Sequence, residues 1–258
     1  MLSWSVKRRL LYLFLTLVLL GAIGAALYVY YKPIASCQDG IKNQDELGID
    51  CGGSCLQVCP TEIQDLRVVW SRVLKVGEGK YDSAVFVENH NPRHGIKQLN
   101  YSLRVVDRDN ILIADIPGQI LLNPKEQLII FNSRLNVGLR VPARVIFEIT
   151  DPPVWQKIER PIPKLTMIKK GFINTPRPQF LVSITNESLD GLKDIEVIVV
   201  LSDLDGNAIA VSSTFVETLD PGETRELSFT WPEPLAEEPT TIDLYPHFDL
   251  SGLVLKNG

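Results

Sequence analysis

The feature that most constrains this chain is an uncharged, apolar run near its N-terminus, residues 10–31. As a helix rising about 1.5 Å per residue, a run of this length just crosses a hydrocarbon core of roughly 30 Å. Three basic residues, 7–9, precede the run, and Lys32 alone follows it. Because basic residues stay on the cytoplasmic side, the sequence predicts a cytoplasmic tail at 1–9 and a helix through the lipid bilayer at 10–31. All later residues are then outside the plasma membrane.

Two other interpretations of this run are less consistent with the residues around it. A cleaved signal peptide has an apolar stretch of about 7–15 residues before a small-residue cleavage site, whereas this run is longer and ends in tyrosines. A lipoprotein signal is the second alternative, since Ile34-Ala35-Ser36-Cys37 resembles a lipobox. Acylation of Cys37 would leave three cysteines, an odd number, so we favour the uncleaved anchor.

The charge distribution limits which partners the chain could bind. The 258 residues carry a formal net charge of −5. The cytoplasmic tail contributes +3, so the remainder carries −8, which argues against nucleic acid as a partner. Residues 61–156 are nearly balanced, whereas residues 157–258 are acidic, so a charged partner of the second half is expected to be cationic.

All four cysteines lie in a short segment directly after the anchor, at Cys37, Cys51, Cys55 and Cys59. Clustered cysteines outside the membrane favour disulfides, and a segment this short needs cross-links to hold a fold. The spacing leaves the three pairings open. A zinc site is the alternative, but such sites usually contain close cysteine pairs two residues apart. We predict a disulfide-stapled stalk at residues 32–60.

The same segment is rich in oxygen ligands, which makes calcium a candidate cofactor. The predicted ligands are Asp39, Asn43, Glu46 and Asp50, of the type that Ca²⁺ prefers. The order of an EF-hand loop is missing, and the alternative is that these side chains form turns.

The string C-x-D-G-x2-N-x2-E-x-G-x-D-C-G-G-x-C-x3-C, from Cys37 to Cys59, is similar to a short cysteine-rich module of bacterial and archaeal surface proteins. The resemblance covers about 24 residues. It implies a location at the cell surface and no particular reaction.

After Pro60 the pattern changes to short apolar runs separated by Asn, Asp, Pro and Gly, which predicts an all-β sandwich. The second half repeats the first. Val85-Phe-Val-Glu-Asn89 matches Val182-Ser-Ile-Thr-Asn186, Asp107-Arg-Asp-Asn110 matches Asp203-Leu-Asp-Gly206, and Asn123-Pro-Lys-Glu126 matches Asp220-Pro-Gly-Glu223, at offsets of 96 or 97. We therefore predict a tandem duplication, with one antiparallel sandwich at 61–156 and a second at 157–258.

The repeated unit resembles the seven-stranded, immunoglobulin-like sandwiches of extracytoplasmic proteins, in particular FxLYD-type domains and, more loosely, CARDB and water-stress domains. The pattern that carries the resemblance is V-x-V-x-N, followed by Y-x-L-x-V-x-D and then L-x-P-x-E. It implies an adhesive or structural role and brings no catalytic residues.

A search for catalytic motifs finds no nucleophile elbow, P-loop or dinucleotide fingerprint. His90 and His94 have the spacing of a helical zinc pair, but Pro92 places them in a loop, which we expect to be solvated. Trp70, Trp155 and Trp231 are expected in cores or at the domain junction.

The sequence thus predicts a mainly β, non-enzymatic, membrane-anchored interaction or scaffold protein of the cell surface. Two alternatives stay open. One is an accessory subunit of an envelope enzyme, transporter or secretion complex, and the other is a calcium-dependent sensor or adhesion protein.

Overall fold

A computed structural model describes residues 4–31, 36–43, 45–55, 57–158 and 160–250. The chain divides into two compact units, residues 1–57 and residues 58–258.

The first unit begins with helix α1, Trp4–Tyr31. Leucine is its commonest residue and favours the helix, and its described side chains are exposed along the whole length. By length and composition, Trp4–Tyr28 could cross a membrane. The prediction of one N-terminal apolar helix is confirmed. Lys32 and the lipobox-like residues Ile34 and Ala35 lie outside the described residues.

The second unit begins with a single 3₁₀ turn, Pro60–Glu62, and continues as a β structure of two lobes. Lobe 1 contains β1–β7, and it pairs them in two sheets of order β1-β2-β5 and β4-β3-β6, with β7 added beside β3. The strands are β1 Arg67–Gly77, β2 Lys80–Glu88, β3 His94–Val106, β4 Leu112–Leu122, β5 Gln127–Asn132, β6 Arg144–Ile149 and β7 Trp155–Lys157.

Lobe 2 contains β8–β13 in two sheets of order β8-β9-β12 and β11-β10-β13. Each order is that of a lobe 1 sheet shifted by seven strands. The strands are β8 Leu165–Ile173, β9 Gln179–Asn186, β10 Leu192–Ser202, β11 Ala208–Leu219, β12 Thr224–Thr230 and β13 Thr241–His247.

The strand register reproduces the sequence repeat residue by residue. Val85 faces Ile130 across the sheet, and Val182 faces Leu227, so both partners are displaced by 97 positions. The mainly β fold of two tandem antiparallel sandwiches is therefore as predicted.

A buried asparagine at the end of one strand explains part of the repeated pattern. Asn89 donates from Nδ2 to the carbonyls of His94 at 2.8 Å and Asn123 at 2.7 Å, so it ties the starts and ends of three strands together. Asn186 does the same in lobe 2, donating to the carbonyls of Asp190 and Leu219. A buried side-chain amide needs such hydrogen-bond partners. Each asparagine thereby joins its own strand end to two other backbone segments at the same end of its lobe.

Each lobe has its own apolar core between its two sheets. In lobe 1 the core includes Val85, Leu99, Leu103 and Leu128, and in lobe 2 it includes the neighbouring rings of Phe180 and Phe229. These residues alternate along their strands with residues that face the other way, as expected for sheets with an inner face.

A third apolar cluster lies between the lobes and joins them, and we call it the shared layer. It is formed by the outer face of β1-β2-β5 packing on the outer face of β11-β10-β13. The central strands β2 and β10 are consequently covered on both faces of their sheets. The buried members are Leu74, Ala84, Phe86, Ile129, Ile198, Val200, Ala208 and Val211, with Trp70, Phe131 and Tyr245 partly buried beside them.

The two sheets that meet in the shared layer are not equivalent in the duplication. The equivalents of Ile198 and Val200 in lobe 1 are Ser102 and Arg104, and Arg104 pairs with Glu148 at 2.9 Å on the free face. The equivalents of Phe86 and Ile129 in lobe 2 are Ser183 and Glu226. At these four positions, residues that are apolar in the shared layer are polar on the outward faces of the second unit.

Both lobes point the same way. We call the end that contains residues 58–66 the leading end. There Asn123 Nδ2 donates to the carbonyl of Phe248 at 2.8 Å, and Glu126 Oε1 lies 2.8 Å from His247 Nδ1. At the opposite, far end, Arg72 Nη2 donates to Asn207 Oδ1 at 2.6 Å. Polar contacts between the lobes thus border the shared layer at both ends.

Strand β8 is not evident from the sequence pattern, because Lys169, Lys170 and Gly171 interrupt its alternation. The structure places a register shift between Lys169 and Gly171, so the two halves of β8 present their apolar side chains in different phase. The predicted domain boundary between 156 and 157 falls inside β7, which pairs with the start of β3.

Candidate functional site

The cysteine module contains the predicted disulfides. Cys37 and Cys55 are bridged with a Cα–Cα distance of 5.6 Å. Cys51 and Cys59 are also disulfide-bonded. Disulfides are confirmed, and Cys37–Cys55 is a pairing that the spacing could not decide.

The predicted calcium ligands of the module are engaged with its backbone. The Asp50 carboxylate accepts the N–H groups of Asp39 at 2.9 Å and Gly40 at 2.9 Å. The Asp39 carboxylate accepts from the Asn43 side chain at 2.8 Å and from two backbone N–H groups, and these hydrogen bonds, that of Asn43 foremost, lower the pKa of Asp39. Charge-assisted bonds of this kind hold turns.

Two further ligands complete the predicted set. Glu46 is buried and accepts the Asn43 N–H at 3.2 Å. The buried Oδ1 of Asn43 has no hydrogen-bond partner among the described residues. The arrangement matches the turn-forming role of these side chains, and the calcium site stays a prediction.

The paired hairpin aspartates take the turn role that the sequence predicted. Asp107 Oδ1 accepts the N–H groups of Asp109 at 3.0 Å and Ile111 at 2.9 Å. Asp203 Oδ1 accepts those of Asp205 at 2.9 Å and Asn207 at 2.7 Å. The donated backbone hydrogen bonds, chiefly from Ile111 and Asn207, lower the pKa of each carboxyl.

The histidine prediction was wrong for one of its two residues. His90 is half exposed and lies 3.2 Å from the Glu88 carboxylate. His94 instead begins β3 and is buried, because β7 pairs alongside it through Lys157. Burial lowers the pKa of His94, so the neutral imidazole is favoured. The two rings therefore occupy different surroundings and do not form a pair.

The three tryptophans of the second unit lie in cores or at the lobe junction, as predicted. Trp231 is buried in lobe 2, and its Nε1 donates to the carbonyl of Val211 at 3.1 Å. Trp70 packs edge-on against Phe86 in the shared layer, with ring centroids 5.8 Å apart. Trp155 packs on the lobe 1 core.

A concave surface between the lobes lies at the far end of the second unit, and we call it the far-end groove. It encloses about 1,020 Å³. Lobe 1 supplies the hairpin around Lys80 and the segment around Arg134, and lobe 2 supplies Arg177 and part of β11. Side chains from five separate segments meet here only because the shared layer joins the lobes, so the groove could not be predicted from either domain alone.

A buried carboxyl supports one wall of this groove. Asp82 Oδ1 accepts the N–H of Arg134 at 2.7 Å. Burial raises the pKa of Asp82, and the Arg134 N–H partly offsets that effect. Arg134 has φ of 58°, a left-handed conformation that costs a non-glycine residue energy. The Asp82 contact thus helps to hold an arginine in a conformation that suits glycine.

Comparisons with known proteins do not assign this chain to a family. No family model matches it, and no curated protein sequence matches it. Among solved structures, red sea bream transglutaminase aligns at 14% identity and a TM-score of 0.23, over 72% of this chain and 29% of that chain. A serine-to-alanine mutant of Bacillus subtilis oxalate decarboxylase aligns at 10% identity and a TM-score of 0.14, over 84% of this chain and 89% of that chain.

Proposed function

We propose that this chain is a membrane-anchored, extracytoplasmic interaction protein without catalytic activity. Helix α1 would cross the plasma membrane with its N-terminus in the cytoplasm, and the cysteine module would connect it to the double sandwich outside. The resemblance of the module to those of prokaryotic surface proteins and of each lobe to FxLYD-type and CARDB-like domains belongs to the same proposal.

The observation that carries the proposal is the shared layer. It buries Phe86, Ile129, Ile198 and Val200 between the lobes, so two sandwiches that would otherwise move independently form one body. A rigid body holds the far-end loops of both lobes in fixed positions. A partner that contacts both lobes then avoids the entropic cost of ordering them on binding.

The test is photo-crosslinking of the full chain in its native membranes. A benzophenone amino acid is introduced at exposed positions of the second unit, and adducts are purified through a C-terminal tag and identified by mass spectrometry. We expect adducts with one recurrent protein. A recurrent neighbour that is itself an integral enzyme, transporter or secretion component would specify the accessory-subunit alternative, whereas the absence of any adduct at every position would overturn the proposal.

Membrane insertion is tested separately from partner binding. Alkaline carbonate should leave the full chain in the membrane pellet, because a spanning helix stays inserted when peripheral contacts are removed. External protease should degrade the double sandwich while a fragment containing residues 1–31 is protected. Release into the supernatant would contradict the anchor.

A further inference from the structure

We infer that the far-end groove is a binding site for a short acidic peptide segment. The inference deepens the proposed function, on which it rests, by naming the surface and the chemistry of the partner.

Three cations line this groove, and the charge of one of them, Arg134, acts on the buried Asp82 and partly offsets the rise of its pKa. Lys80, Arg134 and Arg177 are exposed, and the described residues show no ion pair for any of them. The one acidic residue of the lining, Asp82, is buried and its pKa is raised. In an otherwise acidic body, this local excess of positive charge attracts an anionic group, and the arginines can bind carboxylates in a bidentate manner.

The groove also offers backbone and hydroxyl groups of the kind that bind a peptide. Strand β11 lies at the edge of its sheet. The Val211 carbonyl accepts a hydrogen bond from Trp231 Nε1, which indicates that this carbonyl faces away from β10. Since alternate residues of a strand direct their N–H and C=O groups to the same side, those of Ser213 face outward as well. Edge groups of this type pair with an added extended segment. Ser133, Ser212 and Thr230 supply further hydrogen-bonding groups.

The surroundings of the groove favour a short acidic segment over a long polyanion. The far-end loops of lobe 2 carry Asp203, Asp205, Glu233, Glu237 and Glu238. A uniformly charged polysaccharide that extended past the groove would meet these carboxylates and be repelled. A peptide with two or three acidic residues, flanked by neutral ones, would place its charge only where the cations are.

The direct test measures binding to the full chain in nanodiscs. The probe is a fluorescent nonapeptide with three central glutamates, and the same peptide with glutamines is its control. We expect the glutamate peptide to bind at least about tenfold more tightly at low salt, with the difference decreasing as salt is added. Equal affinity for the two peptides would overturn the inference, and so would tighter binding of dextran sulfate than of the glutamate peptide.

Two sets of variants locate the site. Lys80→Glu with Arg177→Glu should weaken binding of the glutamate peptide by at least about tenfold. Lys97→Glu with Lys193→Glu makes the same charge change outside the groove and should leave affinity nearly unchanged. Equal losses in both double variants would show an effect of net charge alone and would overturn the site.

Arg134→Gly separates binding from folding. Glycine adopts a φ of 58° without strain, so this variant should unfold at the wild-type temperature or above. Its affinity for the glutamate peptide should nevertheless fall, because the guanidinium is lost. Unchanged affinity would remove Arg134 from the site.

Photo-crosslinking from Ser213, compared with Gln98 outside the groove, distinguishes failure of the site from failure of the proposed function. Protein adducts from Ser213 that are lost with Lys80→Glu and Arg177→Glu would support the site. Adducts from Gln98 alone would leave the interaction function standing and overturn the groove. No adduct from either position, or from the others tested, would overturn both.

Discussion

The ring of Phe86 on β2 lies 5.3 Å, centroid to centroid, from the ring of Tyr245 on β13. The two residues belong to different lobes, and the contact between them is part of the shared layer. The corresponding position to Phe86 in lobe 2 is Ser183, on a face that carries no third lobe. This one position thus distinguishes a sheet that is covered from an equivalent sheet that is not.

Phe86→Ala should destabilise the second unit by about 3–5 kcal/mol, the usual cost of removing a buried phenylalanine. Because the lost contacts join the lobes, we also expect the single thermal transition to separate into two. Differential scanning calorimetry of the full chain in detergent measures both effects. Phe215→Ala, at an exposed position of β11, is the control and should change little. One unbroken transition with wild-type stability would show that the shared layer does not couple the lobes.

Asp203→Ala should lower the unfolding temperature at pH 7, since the backbone N–H groups of Asp205 and Asn207 lose their acceptor. The pKa of Asp203 is lowered in the folded state, so its stabilisation is complete above the unfolded value of about 3.9 and is lost as pH falls through the folded pKa. The difference between variant and wild type should therefore shrink in acid.

Melting curves between pH 2.5 and pH 7 test this dependence, with Asp205→Ala as a neighbouring control that should behave like wild type. Asp107→Ala should repeat the pattern in lobe 1, where the lowered pKa has the same main cause. A destabilisation that stays constant down to the lowest pH would contradict a role for the ionised carboxylate.

Asp82→Asn should become more stabilising, relative to wild type, as pH rises. Burial raises the pKa of Asp82 in the folded state, so its stabilising contribution is present below the unfolded value of about 3.9 and is lost as pH rises through the folded pKa. Asparagine keeps an oxygen for the Arg134 N–H and cannot ionise. Urea unfolding at pH 4 and pH 8 measures the change, and equal differences at both pH values would be the contrary result.

Cys37→Ser should leave Cys55 as a free thiol, because these two cysteines are bridged. Iodoacetamide without reductant should then label Cys55 once, whereas the wild-type chain should take no label. Mass spectrometry of the labelled peptides makes the assignment. Label on Cys51 or Cys59 would mean a different pairing. Loss of a bridge that closes a loop of this size costs about 3 kcal/mol in the chain-entropy model.

Calcium should leave the stability of the chain unchanged, because the carboxylates of Asp39 and Asp50 already accept backbone hydrogen bonds. We expect unfolding midpoints within about 1 °C of each other in millimolar Ca²⁺ and in chelator, since only a ligand of the folded state raises the midpoint. A clear rise that Asp50→Asn abolishes would establish the calcium site and the sensor alternative.

The sequence was most informative where a side chain fixes its own local backbone. Asp107 and Asp203, and the buried pair Asn89 and Asn186, mark hairpins and lobe ends by bonding to nearby N–H and C=O groups. Such landmarks recur at offsets of 96 and 97, so the duplication was predictable. Strand β8 is hard to recognise in the sequence because its bulge at Lys169–Gly171 breaks the alternation on which strand prediction depends.

The shared layer was hidden for a different reason. The runs Ala84–Val87 and Val197–Leu201 are apolar without alternation, which is typical of strands buried on both faces. Nothing in either run says which other sheet provides the second cover. The far-end groove depends on that pairing and so could not be predicted, and the disulfide pairing is equally invisible to spacing alone.

The use of unlike sheets in the shared layer has a consequence for how such a chain could lengthen. In the shared layer, one kind of sheet from lobe 1 packs on the other kind of sheet from lobe 2. Each lobe therefore keeps one outward-facing sheet, and a contact of this type can repeat without limit. Some positions where an apolar residue would admit another copy are polar here. They are Ser102 and Arg104 on the outward sheet of lobe 1, and Ser183 and Glu226 on the outward sheet of lobe 2. The polar residues at these positions disfavour the addition of a third copy, and apolar residues there would favour growth into a fibre.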